Sequence, residues 1–425
     1  MRQYHVILNT RSEIAVLWVF FSLLVLAGCR PGGLSRDDAN GPTGWATCES
    51  IQGGHYDLTG GTYCPEKGVQ GRKIILTSDG SDMRAAIEEA IRRYDIVVLD
   101  GSEGPFLYSG TSHFDSLCNK TLVGINGAVL RSVFQCSPAL REKLDKAMER
   151  FDGIEPDAAG RFRMANDSLV RSFPAYACFQ TILEETGDTT LTCLRSGFFH
   201  FHNGSENLII RNLFFDGPGA LRGLPNPMIS ARERSKHIWI DHCSFEDFAR
   251  LGVSATRQAD CITVSWCTFR VTEQSDAHSL GCMFASGDDS WEDEDYLNVT
   301  FDHCLWQDVW SRVPMARFGT IHVLNNVYDC PRTVGINPRM HSEFLVEGCW
   351  FAPGTRPYCD YRTDVAPPKA SVFRDNRSDP AFEIKNTGEV TIPYSYRVSA
   401  PERAREEVLV HAGPTLSHPL QINYK

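Results

Sequence analysis

The sequence lacks the features that mark nucleic-acid-binding proteins, membrane-spanning proteins and zinc fingers. Its formal net charge is −11 and it contains no DNA- or RNA-reading motif, whereas nucleic-acid binders usually present a basic face. The apolar run from Ile14 to Gly28 has 15 residues, fewer than the roughly 20 that a membrane-spanning helix needs. The cysteines show no CxxC pair or Cys–His cluster with zinc spacing. The remaining interpretation is a globular chain, long enough for one large or two ordinary domains.

The N-terminus predicts export. Arg2 and Arg11 precede the apolar run, which ends in the small residues of Leu26-Ala27-Gly28-Cys29. A charged lead, a short apolar core and small residues at its end are typical of a signal peptide. The LAGC ending resembles a bacterial lipobox, with Cys29 as the lipidated residue that anchors the protein to the outer membrane or cell surface. Ordinary secretory cleavage beside an incidental cysteine is the alternative.

Fourteen cysteines remain besides Cys29. An even, high number in an exported chain predicts disulfides, although the sequence does not determine their pairing. Residues 137–195 interrupt the pattern described below, and SPALREKLDKAMER within them predicts an amphipathic helix that opens on Ser137 and Pro138. We interpret 137–195 as one loop insertion held by some of the three cysteines near it, which are Cys136, Cys178 and Cys193.

A repeat fills the middle of the chain. Six nine-residue segments align: NLIIRNLFF from 207, HIWIDHCSF from 237, CITVSWCTF from 261, NVTFDHCLW from 298, TIHVLNNVY from 320 and EFLVEGCWF from 343. Columns two and four are apolar in every segment, column nine is aromatic, and column seven is Cys in four of the six. Repeats at this spacing indicate a solenoid, and the internal alternation of two indicates strands.

The repeat predicts an all-β chain folded as a right-handed parallel β-helix. Like residues would stack one strand spacing apart, about 4.8 Å, so that column seven forms an internal ladder of thiols with one amide. Column six, with His242 and His303, would lie at a bend where these side chains bond the backbone. A β-sandwich of short strands is the alternative interpretation.

Elements on both sides complete the predicted coil. RKIILTS near 72, DIVVLDG near 95 and KTLVGING near 120 fit as further rungs. SDMRAAIEEAIRRYD has helical spacing with Ser81 as N-cap, and this helix would cover the open end of the stack. PERAREEVLVHAG predicts a C-terminal helix on the outside. The expected organisation is a signal peptide (1–28), a tether (29–45) and a single monomeric β-helix domain (46–425).

Residues 298–330, NVTFDHCLWQDVWSRVPMARFGTIHVLNNVYDC, resemble the segment of pectate lyases and pectin lyases that bears their catalytic arginine. NLIIRNL, HIWIDHCSF, GINPRMHSEFLVEGCWF and PYSYRVSAPERAREEVLVHAG extend the resemblance over roughly 72–413, with 137–195 unmatched. The resemblance implies the pectin-lyase-like parallel β-helix and β-elimination on an uronic-acid polysaccharide. It also implies Arg312 as the catalytic base and Arg317 as a substrate-carboxylate partner.

The calcium site that the resemblance implies is not matched by the residues present. Its acidic ligands should fall within LPNPMISA and ARLGVSATRQADCITVSW, where this sequence has Pro225, Pro227, Arg250 and Ser254. A hard cation needs several oxygen ligands, so we expect no calcium at these positions and no other cofactor. The pectin lyase branch is similar in lacking these acids, and Arg250 could bind a substrate carboxylate or ester in place of the metal.

Each arginine also has an ordinary structural interpretation. Arg250 could pair with Glu246 or Asp247 at the surface, and Arg312 and Arg317 could pair with Asp302 or Asp308 along the outer face.

Other candidates are weaker. The acidic run GDDSWEDED (287–295) could bind calcium, but a solvated loop is the more ordinary interpretation. His278 lies near the position of a second basic residue in the family and is a candidate for substrate binding. His200 and His202 share a strand face and form a metal-binding pair without a third ligand. An exposed ring among the tryptophans outside column nine, Trp239, Trp291 and Trp310, could stack on sugars.

Two functions therefore remain in view. The first is a polysaccharide lyase that works without the usual calcium site, for which partly esterified, pectin-like polymers fit the missing acids. The second is a surface carbohydrate-binding protein that kept the coil and lost the chemistry.

Overall fold

The computed structural model describes residues 41–49, 54–64, 69–134, 138–139, 142, 146, 161–163, 169–171, 196–219, 226–272, 275, 280–331, 333–359, 366–384 and 386–422. Among these residues, no helix is long and apolar enough to span a membrane. Residues Pro42–Tyr424 form one compact unit.

The described residues are mostly strands. In chain order these are β1 (Tyr63–Cys64), β2 (Val69–Gln70), β3 (Lys73–Thr77), β4 (Ile96–Asp100), β5 (Phe106–Ser109), β6 (Ser112–Asp115), β7 (Cys118–Ile125), β8 (Val129–Val133), β9 (Arg161–Arg163), β10 (Leu169–Arg171), β11 (Phe199–His202), β12 (Glu206–Arg211), β13 (Phe214–Asp216), β14 (Pro227–Arg232), β15 (Lys236–Asp241), β16 (Ser244–Glu246), β17 (Leu251–Thr256), β18 (Asp260–Ser265), β19 (Thr268–Arg270), β20 (Cys282–Phe284), β21 (Val299–Asp302), β22 (Leu305–Gln307), β23 (Met315–Arg317), β24 (Thr320–Leu324), β25 (Val327–Asp329), β26 (Asn337–Arg339), β27 (Glu343–Glu347), β28 (Trp350–Phe351), β29 (Ala370–Arg374) and β30 (Arg377–Ser378). Two α-helices, α1 (Arg84–Arg93) and α2 (Pro401–His411), accompany them.

Three parallel sheets wrap one core within the described part of the chain. Sheet A has the order β26-β23-β20-β17-β14-β11-β6, sheet B runs β29-β27-β24-β21-β18-β15-β12-β7-β4-β3, and sheet C runs β30-β28-β25-β22-β19-β16-β13-β8-β5. The coils from β11 to β28 each contribute one strand to each sheet, and the fold is the predicted right-handed parallel β-helix. The β-sandwich alternative is wrong. The three predicted early rungs are β3, β4 and β7.

The aromatic ninth column forms a continuous ladder in the core. Phe215, Phe245 and Phe269 stack with ring centroids 5.0 Å apart at each step and interplanar angles of 7° and 8°. Trp306 continues the stack at 4.3 Å from Phe269, and Tyr328 lies 5.8 Å beyond it at 6°. Columns two, four and seven join the same buried cluster. Stacking of aromatic rings keeps successive coils in register, because each ring packs against a parallel ring above and below it.

The sharp bends between sheets B and C use left-handed backbone. Column six has positive φ in all six repeats: Asn212 57°, His242 48°, Trp266 50°, His303 52°, Asn325 54° and Gly348 65°. His242 Nδ1 lies 2.8 Å from Asp241 and His303 Nδ1 lies 2.6 Å from Asp302. The prediction of a bend is therefore confirmed, but the prediction that these histidines bond the backbone is wrong. A carboxylate on the preceding residue reaches each ring first.

The chain begins to pack on the coil before the end of the predicted tether at residue 45. Gly44–Thr47 form a 3₁₀ turn on sheet B in which Trp45 is fully buried. Trp45 N donates to Thr300 Oγ1 at 3.0 Å, and Thr43 O accepts from Thr263 Oγ1 at 2.7 Å. The signal peptide, Cys29 and the tether before residue 41 lie outside the described residues.

Both predicted end helices are present. The inner face of α1 (Ile87, Ala90 and Ile91) joins the core cluster and packs on β4 and β5. The N-cap of α1 is Met83 rather than Ser81. The Ser81 hydroxyl donates to Asp79 Oδ1 at 2.6 Å instead of capping the helix. Helix α2 packs outside sheet C through Val408.

The disulfide prediction is wrong for most of the described cysteines. Nine of them carry free thiols: Cys48, Cys118, Cys243, Cys261, Cys267, Cys282, Cys304, Cys330 and Cys349. Column seven is the predicted ladder of thiols with one amide, in which Cys243 N donates to Cys267 Sγ at 3.4 Å and Cys304 N to Asn326 Oδ1 at 3.0 Å. Burial raises the pKa of Cys267 and Cys304 well above its usual value, which keeps them as unreactive thiols.

The insertion is described only in part. Positions 138, 139, 142 and 146 are helical, and Lys146 Nζ bonds Glu142 Oε1 at 2.8 Å, one turn away. Strands β9 and β10 pair antiparallel. The proposed staples Cys136, Cys178 and Cys193 lie outside the described residues.

Candidate active site

The outward face of sheet A brings together residues that are far apart in sequence. Ser230, Ser254, Met283, Met315 and Asn337 are successive Cα partners from β14 to β26. Their neighbours in each strand, such as Val253, Phe284 and Ala316, belong to the core cluster, so this line of residues faces outward. Beside it Leu251, Leu280, Met283 and Met315 form an apolar patch with the half-buried Trp310.

Arg250 and Arg312 lie at the same edge of this sheet. Arg250 immediately precedes β17, and its carbonyl accepts from Leu280 N at 2.7 Å. Leu280 pairs in turn with Ser311, the residue before Arg312. The two arginine backbones are thus two strand spacings apart, about 10 Å. Both side chains are half-buried.

Arg312 occupies a constrained position. Its φ is 61°, in the left-handed region, and its carbonyl accepts from Cys282 N at 2.7 Å. Nη1 lies 3.1 Å from Met283 Sδ. A thioether is a weak acceptor, so this contact by itself is a weak hydrogen bond.

Arg317 is held by an acid that the sequence analysis did not pair with it. Its Nε donates to Asp288 Oδ1, and Asp288 Oδ2 accepts from Arg339 Nη2 at 3.3 Å. The suggested partners Asp302 and Asp308 are therefore wrong for Arg317. Arg317 Nη1 is buried and finds no hydrogen-bond partner among the described residues. This nitrogen is an unsatisfied buried donor beside Asp288 and Arg339.

Arg339 is a site residue that the sequence analysis missed. It is the Cα partner of Arg317 on the next strand and is also buried. The segment GINPRM could have pointed to Arg339. Arg339 lies just before the repeat that starts at 343, at nearly the same distance as Arg317 lies before the repeat that starts at 320. Asp288 therefore neutralises part of a two-arginine cluster.

The acidic loop 287–295 is partly structural rather than simply solvated. Besides Asp288, Asp293 is fully buried and accepts from Gln258 N at 2.6 Å. Burial raises the pKa of Asp293 to about 6. The solvated-loop interpretation is therefore wrong for Asp288 and Asp293, while Glu292, Glu294 and Asp295 are exposed.

The positions of the expected calcium ligands carry other chemistry. Ser254 Oγ donates to Ser230 Oγ at 3.0 Å, and the carbonyl of Pro227 accepts from His200 Nε2 at 3.0 Å. Arg250 adds a positive charge at the same edge. Two serine hydroxyls and a proline do not supply the carboxylate oxygens that a hard divalent cation needs. Pro225 and His278 lie outside the described residues.

The two acids suggested as ordinary partners for Arg250 contact other residues. Glu246 Oε2 lies 3.3 Å from Arg270 Nη1. Asp247 accepts from Thr272 N at 2.8 Å and from Thr272 Oγ1 at 2.6 Å.

The tryptophans outside the ladder differ in exposure. Trp239 is completely buried and donates to Ser265 Oγ at 2.8 Å, so it has no surface for a sugar. Trp291 is 50% exposed and packs edge-on against Phe318 and His341. Phe318 directly follows Arg317, which places the exposed ring beside the Arg317–Arg339 cluster.

Comparison with known proteins identifies the family. Residues 187–415, more than half of the chain, match the family model described as pectate lyase. A probable pectate lyase A of Aspergillus flavus is 33% identical over 230 residues, which are 52% of this chain and 67% of that protein. The chain belongs to the pectate lyase family.

Further relatives agree with this assignment. Probable pectate lyase A of Neosartorya fischeri is 30% identical over 234 residues, or 53% of this chain and 68% of that protein. The structure of a Bacillus sp. N165 pectate lyase in complex with trigalacturonate aligns with a TM-score of 0.55 and 18% identity, over 88% of this chain and 98% of that one. At that identity the structural match supports the fold alone.

The part of this pectate lyase family member that matches the family model holds the arginine cluster. Arg250, Arg312, Arg317 and Arg339 all fall within 187–415, whereas β6 and α1 precede it. The outward face of sheet A therefore continues beyond the matched region toward the N-terminal coils.

Proposed function

We propose that the protein is a polysaccharide lyase that cleaves an uronic-acid polymer by β-elimination, with Arg312 as the base. The observation that carries the proposal is the placement of Arg250, Leu280 and Arg312 on adjoining rungs at one edge of the outward face of sheet A in a pectate lyase family chain. Four arginines from three coils border this face. A polyanionic sugar chain is the ligand that such a row of cations attracts.

The reaction needs two contributions from this face. A base removes the weakly acidic proton next to the uronate carboxyl group, and the bond to the leaving sugar oxygen breaks as the double bond forms. Negative charge grows on the carboxylate in that state, so fixed donors aimed at it lower the barrier. Arg250 and Arg317 Nη1 are the donors proposed for this role.

An arginine base requires surroundings that disfavour its positive charge. The apolar patch beside Arg312 and the cations on neighbouring rungs work in that direction. Asp288 pairs with Arg317 and Arg339 and limits the net charge of the cluster. With Ser254 and Pro227 at calcium-ligand positions, carboxylate binding falls to guanidinium groups. Partly esterified substrates carry fewer charges and suit this arrangement.

The test is the ultraviolet absorbance of the unsaturated product. Purified protein is incubated with polygalacturonate, highly esterified pectin and alginate, each with and without a calcium chelator. We expect chelator-resistant absorbance that falls by about 10²–10⁴-fold in Arg312→Ala, the range for removal of a general base. Arg270→Ala is the matched control, because Arg270 is an exposed arginine on sheet C. Wild-type protein that forms no product from any of the three polymers contradicts the proposal.

A carbohydrate-binding protein without chemistry is the second candidate, and the Asp288 contact favours it. An arginine already held by an acid binds a substrate carboxylate only by displacing or sharing that acid. Retention on immobilised polysaccharide without any absorbance change supports this candidate. Loss of retention at high salt would then identify the arginine row as the binding surface.

Export and lipid anchoring through Cys29 complete the proposal, on the strength of the LAGC motif. An anchored enzyme would act on polymers outside the cell.

A further inference from the structure

Three histidines converge on the outer face of sheet A, at the end away from the arginines. His113 lies on β6, and His200 and His202 lie on β11. One ring nitrogen from each lies within 4.8 Å of the others, and His113 Nδ1 is 3.1 Å from His202 Nε2. Among the described residues this is the one group of three or more metal-ligating side chains that come so close. His113 supplies the third ligand that the sequence pair lacked.

The surrounding groups set the tautomers that coordination requires. A carbonyl oxygen only accepts, so the 3.0 Å contact between His200 Nε2 and Pro227 O places the proton of His200 on Nε2 and leaves Nδ1 with its lone pair. His202 Nδ1 lies 3.4 Å from Glu233 Oε2, which leaves Nε2, the atom facing His113, as the ligand. Ligating histidines usually donate their second N–H to a carbonyl or carboxylate in this way.

The group is reachable from solvent. Burial, together with the neighbouring histidines, lowers the pKa of His200 to about 4, although the Pro227 carbonyl opposes the shift. His113 is exposed and His202 half-buried, so an ion can enter from solvent. The carboxylates of Asp115, Glu88 and Glu233 and the guanidinium of Arg232 act on these rings. Arg92 pairs with Glu88 and Arg257 with Glu233, so acidic and basic groups both border the site.

We propose that His113, His200 and His202 form a binding site for one zinc ion, with water as the fourth ligand. Three imidazoles suit Zn²⁺ at about 2.0–2.1 Å in a tetrahedral site with an open position. Calcium and magnesium need oxygen ligands and do not fit three nitrogens. The three nitrogen ligands and the open position distinguish the site from the arginine row.

The position of the site indicates what the ion does. His113 and His202 are 89 residues apart in the chain, and the 137–195 insertion lies between them. Zinc would cross-link the coil before this insertion to the coil after it. Binding that occurs only in the folded state stabilises the fold, so the ion would stabilise the coil at the point where the insertion interrupts it.

Zinc binding to full-length protein without a polyhistidine tag tests the proposal. After chelator treatment and its removal, zinc chloride is titrated by calorimetry, and bound metal is counted by mass spectrometry. We expect one zinc per chain and a thermal midpoint raised by about 2–5 °C at saturation. His113→Ala and His202→Ala should each lower the affinity at least about 100-fold. His418→Ala, at an exposed histidine elsewhere, should bind as the wild type does.

Several results would overturn the site. These are no stoichiometric zinc in the wild type, unchanged binding in a His113→Ala/His202→Ala double variant, or displacement of zinc by excess calcium. His113 is exposed, so His113→Gln keeps the test usable if the double variant does not fold. None of these measurements depends on lyase activity, and the zinc site can stand or fall separately from it.

Discussion

Asp288 determines how much positive charge Arg317 and Arg339 present to a ligand. Its two carboxylate oxygens engage one arginine each, and its side chain is 38% exposed. A partly exposed ion pair is worth little on its own, so a substrate carboxylate can compete for the same guanidinium groups. Because Asp288 already holds both arginines, the geometry fits both a lyase and a carbohydrate-binding protein, and the absorbance assay separates the two functions.

His303 provides a pH-dependent contact between sheet B and helix α2. Burial acts to lower its pKa, but Asp302 and Glu407 on α2 outweigh burial and raise it to about 9 from 6.5. The interaction with His303, whose Nε2 lies 3.7 Å from Glu407 Oε2, lowers the pKa of Glu407 to about 2 from 4.5. The contribution to stability is therefore complete between pH 4.5 and 6.5 and is lost as pH rises through about 9 or falls through about 2.

We expect the thermal midpoint of wild-type protein to fall, relative to His303→Gln, as pH rises from 6.5 to 9. The variant lacks the proton whose release destabilises the wild type. Scanning calorimetry at several pH values measures the difference, and His418→Gln serves as the exposed control. Parallel pH curves for wild type and His303→Gln would show that this contact is not titrating.

At the scale of the strand, the aromatic ladder holds the coils in register. Phe245 is fully buried between Phe215 and Phe269. We expect Phe245→Ala to lower the free energy of unfolding by about 3–5 kcal/mol, because the truncation leaves a cavity that flanking rings cannot fill. Leu409→Ala on α2, where the side chain is 50% exposed, should change it by less than about 0.5 kcal/mol.

Denaturant unfolding measures both variants. A loss below about 1 kcal/mol in Phe245→Ala would mean that the ladder relaxes around the gap and does not fix register.

Strand-level features were predictable where they depended on local alternation. Columns two, four, seven and nine point inward because successive side chains of a strand alternate faces, and the repeats carry that pattern openly. The predicted N-cap at Ser81 is wrong, because the Ser81 hydroxyl donates to Asp79 instead. The disulfides failed because composition cannot show distances: stacked thiols such as Cys243 and Cys267 instead bond carbonyl oxygens, at 3.3 Å to Asp241 O and 3.2 Å to Ser265 O.

At the scale of the whole molecule, the proposed anchor is separately testable. Cys29→Ser should move the protein from the membrane fraction to the soluble fraction, because the lipidated thiol is replaced. Cys118→Ser, which removes an exposed thiol of the folded unit, should leave the distribution unchanged. Cell fractionation with immunodetection measures both. Wild-type protein already in the soluble fraction would mean that the LAGC motif is not lipidated.

The sequence by itself determined the coil, its aromatic and thiol ladders and the family, because a repeat in which like residues stack can be recognised from the order of the residues alone. It also pointed to Arg250, Arg312 and Arg317. Only the tertiary structure decided that Asp288 joins Arg317 to Arg339 and that His113 meets His200 and His202. Those contacts depend on the path of a loop and on the register of coils that a long insertion separates, and neither is encoded by local periodicity.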